Sequence, residues 1–163
     1  MNFDDDSLVE MLRRSYFAVD GLWFVMAEEM FDPDQALELD ERVWKVMPKI
    51  QARKARQLLR LRGSSLAELA QCFALKLTAE GHRFEVSRTG HDELEVIITE
   101  CPWLKLLEQS NRVHLAETIA EHICVTEGET WASEFSEGIE FNLASRMCAG
   151  DESCHFLFRR AGD

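Results

Sequence analysis

The feature that most constrains this chain is a change of hydrophobic period at Gly81, helical before it and alternating in the segment that follows. Leu66, Leu69, Ala70, Phe73 and Leu77 trace one helix face, opened by a Ser65–Glu68 capping box and closed by Gly81. Beyond it Phe84 and Val86, then Leu94, Val96 and Ile98 after a turn at Thr89-Gly90, alternate as a β-hairpin does. Upstream, the spacing predicts a helix from Ser7 to about Met30, with Ser7 and Glu10 as another capping box. Leu8, Met11, Leu12, Phe17, Val19, Leu22 and Trp23 wrap most of its circumference. Asp32-Pro33 breaks the chain. A helix follows from near Asp34, and Pro48 kinks it or begins another that runs to Leu61. Downstream, Cys101-Pro102-Trp103 leaves the hairpin and a helix carries Leu115, Ile119 and Ile123. Ile139, Phe141, Leu143 and Met147 then alternate, as do Cys154, Phe156 and Phe158 in the last strand.

This order predicts an α+β fold, with N-terminal helices packed on a small antiparallel sheet formed mainly by the C-terminal half. No repeat, low-complexity tract or linker interrupts the sequence. It is read as one domain, 1–163, helical over 7–80 and mixed hairpin, helix and hairpin over 82–160.

Charge narrows the partners. Thirty acidic residues against 18 basic ones give a net charge of −12, which repels a phosphate backbone or an anionic bilayer. The basic run Arg53, Lys54, Arg56, Arg60 and Arg62 has no interleaved aromatics for base stacking and reads as a solvated helix face. The longest wholly apolar run, Leu22 to Ala27, is far too short to span a membrane, and Asp4, Asp5 and Asp6 have the wrong sign for a secretory signal. A cytoplasmic protein is expected, with a small molecule as partner, neither nucleic acid nor membrane, and the apolar Leu22–Met30 stretch available to a homodimer. In a reducing compartment the five cysteines are thiols, metal ligands or redox groups before they are disulfides.

Two constellations carry chemistry. Cys148 and Cys154 flank a glycine-containing turn between two strands, and Cys101 and Cys124 sit at the ends of other elements. Four such thiols can converge on zinc or another transition metal, with His122 or His155 as an alternative fourth ligand. They can equally be small buried hydrophobes, and Cys148 with Cys154 a disulfide. The apolar alternation does not favour direct pairing of Cys148 with Cys154, so one residue of offset or a bulge is expected at this hairpin. Cys72 borders an apolar stripe and reads as a structural thiol. The second constellation is N-terminal. Tyr16, Asp20 and Trp23 stand at successive helical steps, with Glu28 farther on and Asp40, Trp44 and Arg53 on the following helices. An acid among aromatics is the wall of a ligand pocket, or else a core helix whose Asp20 bonds a neighbouring helix end. Asp20 and Glu28 are the candidate catalytic carboxylates. His114, Glu117 and Glu121 share a helical face that reads as exposed. There is no phosphate-binding glycine loop and no nucleophile elbow.

The stretches YFAVDGLWFVMAE (Tyr16–Glu28), ALELDERVW (Ala36–Trp44) and KIQARKARQLL (Lys49–Leu59) resemble an uncharacterised family of bacterial and archaeal cytosolic proteins. That family resembles, more distantly, the L-2-amino-thiazoline-4-carboxylate hydrolases. CAGDESCHFLF (Cys148–Phe158) is similar to the end of the vinyl-reductase type of small-molecule-binding domain. The first resemblance implies, as an alternative to ligand binding, hydrolysis of a small carboxylated heterocycle with carboxylate- or metal-activated water. The second implies a cysteine pair that binds metal beside a ligand cavity.

Overall fold

Asp4 opens the first helix by accepting the Ser7 N–H on its carboxylate at 2.8 Å, in the computed structural model that describes residues 2–89 and 91–161. The cap therefore lies three residues ahead of the expected Ser7–Glu10 box. Asp is as good an N-cap as Ser, and Glu10 is engaged instead with Arg14 at 2.6 Å. The chain forms two compact units, Met1–Arg42 and Val43–Asp163. The first holds helix α1 (Asp5–Met30) and most of α2 (Pro33–Trp44). Asp32 caps α2 by accepting the Gln35 N–H at 2.8 Å, and Pro33 takes the first helical position, where its missing N–H costs nothing. Phe17, Ala27 and Ala36 are the buried apolar residues of this unit.

The second unit starts from α3 (Met47–Leu58), with Pro48 in its first turn. Pro48 thus begins a new helix rather than kinking the previous one. Helix α4 (Leu66–Glu80) has the expected ends: the reciprocal Ser65–Glu68 box, and Gly81 in the left-handed region at φ 82°. β1 (Arg83–Thr89) and β2 (Glu93–Glu100) form the hairpin; its Gly90 lies outside the described residues. A helix not foreseen in the sequence, α5 (Pro102–Gln109), follows at once. Then come α6 (Ala116–Ile119), a π-helical turn (Ala120–Cys124), α7 (Val125–Phe135), β3 (Ile139–Ser145), a 3₁₀ turn (Met147–Ala149) and β4 (Cys154–Arg160).

The four strands pair antiparallel in the order β1-β2-β4-β3. The fold is α+β, its sheet drawn mostly from the C-terminal half. Alternation decides the faces. Leu94 lies opposite Phe158, Val96 opposite Phe156, and Phe141 and Leu143 opposite Phe158 and Phe156, so the apolar side chains share one face. Glu95, His155, Leu157 and Arg159 point the other way. That face is tied by Arg159–Glu93 at 2.6 Å and His155–Glu95 at 3.1 Å. Helices α4 and α7 lie on the apolar face and α3 packs against both. Phe73 is fully buried at the centre, edge-on to Trp131 at 5.2 Å and to Phe158 at 5.5 Å. Such aromatic pairs add to what burial alone supplies.

The expected bulge is present. The β3–β4 register shifts between Leu143 and Ser145, and Ser145 Oγ donates to the Ser153 carbonyl at 2.8 Å. This keeps Phe141 and Leu143 on the core face while releasing Met147–Ala149 into the 3₁₀ turn. Cys72 is fully buried, as a structural thiol should be. His114, Glu117 and Glu121 are exposed. No helix among the described residues is long and apolar enough to cross a membrane.

Candidate functional site

The second unit contains a polar seam in an otherwise apolar interior. Its centre is Lys76, one turn beyond Phe73 on α4 and only 7% exposed. The ammonium stands 2.7 Å from Glu127 of α7 and 3.0 Å from Glu80 of its own helix, both carboxylates buried. It also lies 5.6 Å from the Phe73 ring centroid, over the negative face of the ring. Burial alone would pull the Lys76 pKa down, but Glu127 and Glu80 outweigh it and push it up. Burial raises Glu127, against the opposing pull of Lys76. Glu80 accepts further bonds from Trp103 Nε1 at 3.3 Å and Gln51 Nε2 at 3.2 Å. His82 Nδ1 lies 3.7 Å from the same carboxylate, and burial followed by the Lys76 charge pushes the imidazole down to about 3. It is therefore neutral at physiological pH. Gln51 Oε1 and His82 Nδ1 are buried with no hydrogen-bond partner among the described residues, which is uncommon in a folded interior.

The seam continues into the four C-terminal thiols. Cys154 begins β4 opposite Ile98, on the core-facing side of the sheet, and Cys101 follows three residues after Ile98. The 3₁₀ turn bearing Cys148 folds back, so that the Met147 N–H donates to Cys154 Sγ at 3.3 Å. Arg146 reaches Glu121 at 3.0 Å, tying that turn to the π-helical turn that ends in Cys124. π-turns recur at functional sites. Burial is the largest cause raising each thiol, taking Cys101 to about 11 and Cys124 well above its ordinary value. Charge on Cys101, Cys148 or Cys154 would raise Cys124 further, so each of the three lies within electrostatic reach of Cys124. Lys76 favours the thiolate of Cys101 and Glu127 opposes that of Cys124, which joins the two clusters. All five cysteines are free. Among the described residues no three His, Cys, Asp or Glu side chains stand in metal-holding geometry.

The other expected site residues lie elsewhere. Tyr16, Asp20 and Glu28 are half-buried on α1, whereas Trp23 is 70% exposed. Their spacing puts Trp23 about 60° around the helix from Asp20, enough to turn it outward. Asp40 is half-buried on α2. Trp44 is buried, edge-on to Trp103 at 5.6 Å, and Arg53 forms a bidentate pair with Glu134 at 2.8 Å. Lys76, Glu80, His82 and Glu127 escaped the sequence reading, because Lys76 and Glu80 have the i,i+4 spacing of an ordinary surface pair. The one available signal was a lysine between Phe73 and Leu77 on an apolar helix.

The model of a family of unknown function (DUF6125) matches residues 3–157. The chain belongs to this family. No curated relative matches it. Among solved structures it is similar to trafficking protein particle complex subunit 3 from Naegleria fowleri, covalently bound to palmitic acid. The TM-score is 0.56 and the identity 12%, over 96% of each chain. At that identity the likeness speaks for the fold. The expected uncharacterised family is thus met by a family of unknown function, and the thiazoline-carboxylate hydrolases find no support in these matches.

Proposed function

We propose that this chain is a small-molecule-binding module whose ligand joins a long apolar chain to a polar end. The reading is carried by the end-to-end fold likeness to a protein that holds palmitic acid. It is supported by the buried polar seam, where Gln51 Oε1 and His82 Nδ1 are unsatisfied beside Lys76 and Glu80. Interior polar atoms of this kind suit the polar end of a ligand, while the aromatic core suits its apolar part. We place the protein in the cytoplasm, where five unpaired cysteines are stable. The alternative of a heterocycle hydrolase acting through Asp20 and Glu28 has no support from the relatives and is not adopted.

The test is mass spectrometry of the full chain purified without detergent. An acyl species in the organic extract, or an intact mass that drops by an acyl group on neutral hydroxylamine, is the expected result. Clean extracts, an unchanged mass and no saturable binding of a fluorescent fatty acid would refute it.

A second reading concerns Cys101, Cys124, Cys148 and Cys154. We propose that they take a thiophilic ion such as zinc, as four thiolates do. The Met147 N–H already directed at Cys154 Sγ supports this, since metal-bound sulfur is stabilised by such donors, as does the reach of the other three thiols to Cys124. Binding releases the thiol protons. Cobalt titration of the reduced protein should give thiolate charge-transfer absorption saturating at one ion per chain. It should survive Cys72→Ser and vanish in Cys148→Ser/Cys154→Ser. No absorption, or absorption kept in the double variant, would refute the site.

A further inference from the structure

Helix α1 carries a long apolar stripe that nothing else in its own unit explains. At 100° per residue, Leu8, Met11, Leu12, Ser15, Val19, Leu22, Trp23, Met26 and Met30 fall within an arc of about 120°. Eight of the nine are large and apolar, and each of those eight is exposed, from 44% at Met26 to 74% at Met30. The buried residues Phe17 and Ala27 lie on other sides of the helix, so the stripe is a second apolar face. It extends over roughly 33 Å of helix at 1.5 Å per residue. Scattered exposed apolar residues need no explanation, but a stripe of this length, with Glu29 as its one charge and that at its edge, marks an interaction surface.

We propose that α1 is the self-association surface of this protein, packing antiparallel against α1 of a second copy about a twofold axis near Val19. The stripe is complementary to itself in this arrangement. With Val19 on the axis, Leu8 meets the second copy's Met30, Leu12 meets its Met26, and the small Ser15 faces its Trp23. Each pairing occurs twice, as an isologous contact requires, and the largest side chain falls opposite the smallest. The centre line of the stripe is uncharged; Glu29 falls at its edge, level with Met11 around the helix, and Glu10 and Arg14, paired at 2.6 Å, are on the far side. The eight side chains expose on the order of 800 Å², about what each partner of a standard stable interface contributes. A lipid surface fits poorly. Within Asp5–Met30 there are six acidic residues and two basic ones, Arg13 and Arg14, whereas helices that lie on bilayers are rich in Lys and Arg.

The inference is independent of the ligand. Sedimentation of the full chain should show a dimer at micromolar concentration. Val19→Glu places two like charges on the axis at a position already exposed to solvent. It should weaken association at least ~100-fold with the circular dichroism unchanged, while Glu10→Gln should leave it intact. Val19→Cys should cross-link to a covalent dimer on oxidation, and Glu10→Cys should not. A chain that is monomeric at all concentrations, a dimer indifferent to Val19→Glu, or co-sedimentation of wild-type protein with anionic vesicles would overturn the proposal.

Discussion

His82 gives the sharpest quantitative consequence of the buried seam. Its ordinary value of 6.5 falls to about 3 in the folded protein, through burial first and the Lys76 charge second. A histidine lowered on folding binds fewer protons in the native state than in the unfolded one. Stability is then fully present above pH 6.5 and is lost as pH falls towards 3. At pH 5 the unfolded imidazole is protonated and the native one is neutral. The loss relative to pH 7 is about 1.5 pH units of linkage, or about 2 kcal/mol. This figure depends on the unfolded value and is unchanged if the native value moves by a unit, since pH 5 lies well above it. Glu127, whose pKa burial raises, works in the opposite sense: across its titration the native state binds more protons than the unfolded one and gains stability as pH falls. The assay therefore compares pH profiles. Urea unfolding of the wild type and of His82→Gln between pH 7 and pH 5 should show curves that converge by about 2 kcal/mol, the variant lacking the histidine's loss. Parallel curves would mean that the imidazole is charged or solvated in the native state, and the seam as described would be wrong.

Three other perturbations have defined outcomes. Lys76→Met leaves Glu80 and Glu127 buried without their cation and should cost about 3–5 kcal/mol in chemical denaturation, partly restored by adding Glu127→Gln. Gly128→Ala would drive a methyl group into the ring of Phe141, where α7 meets β3. Phe141 must shift, and a loss of about 1–3 kcal/mol with altered near-ultraviolet circular dichroism is expected. Ser65→Ala removes one half of the α4 capping box while Glu68 keeps the Gly63 N–H at 2.7 Å, so the thermal midpoint should fall by the equivalent of about 1 kcal/mol.

The parts of the fold legible in the sequence were those governed by local rules. The α4 box and its αL glycine depend on four residues within one element, and the hairpin on a period of two. The β3–β4 bulge was visible because Phe141 and Leu143 could not keep their face if Cys148 paired directly with Cys154. What local rules missed were α5, hidden behind a Cys-Pro that reads as an ending, and the cap at Asp4, where two acceptable N-caps stand three residues apart. The Lys76 seam was invisible for a different reason. Its carboxylate Glu127 is 51 residues away in the chain, and only the packing of α4 against α7 distinguishes a buried lysine from a surface one.

The same distinction separates the signals behind the two candidate sites. The N-terminal constellation was drawn from spacing along one helix, and spacing fixes which residues share a face without saying where that face points. Trp23 belongs with Leu22 and Met26 on the exposed stripe, about 60° from Asp20. The four cysteines were drawn from their positions at element ends, and ends are what a sheet gathers. β2 finishes where antiparallel β4 begins, so Cys101 and Cys154 are brought to one edge of the core. The bulge then returns Cys148 to Cys154, and the Arg146–Glu121 pair fixes that turn beside Cys124. Breaking this pair tests the chain of reasoning without touching a thiol. Arg146→Ala should leave stability nearly unchanged, as for other exposed ion pairs, while Cys148 becomes faster to alkylate than Cys154. Equal acceleration of both would show that the strand pairing, rather than the turn, holds the thiols together.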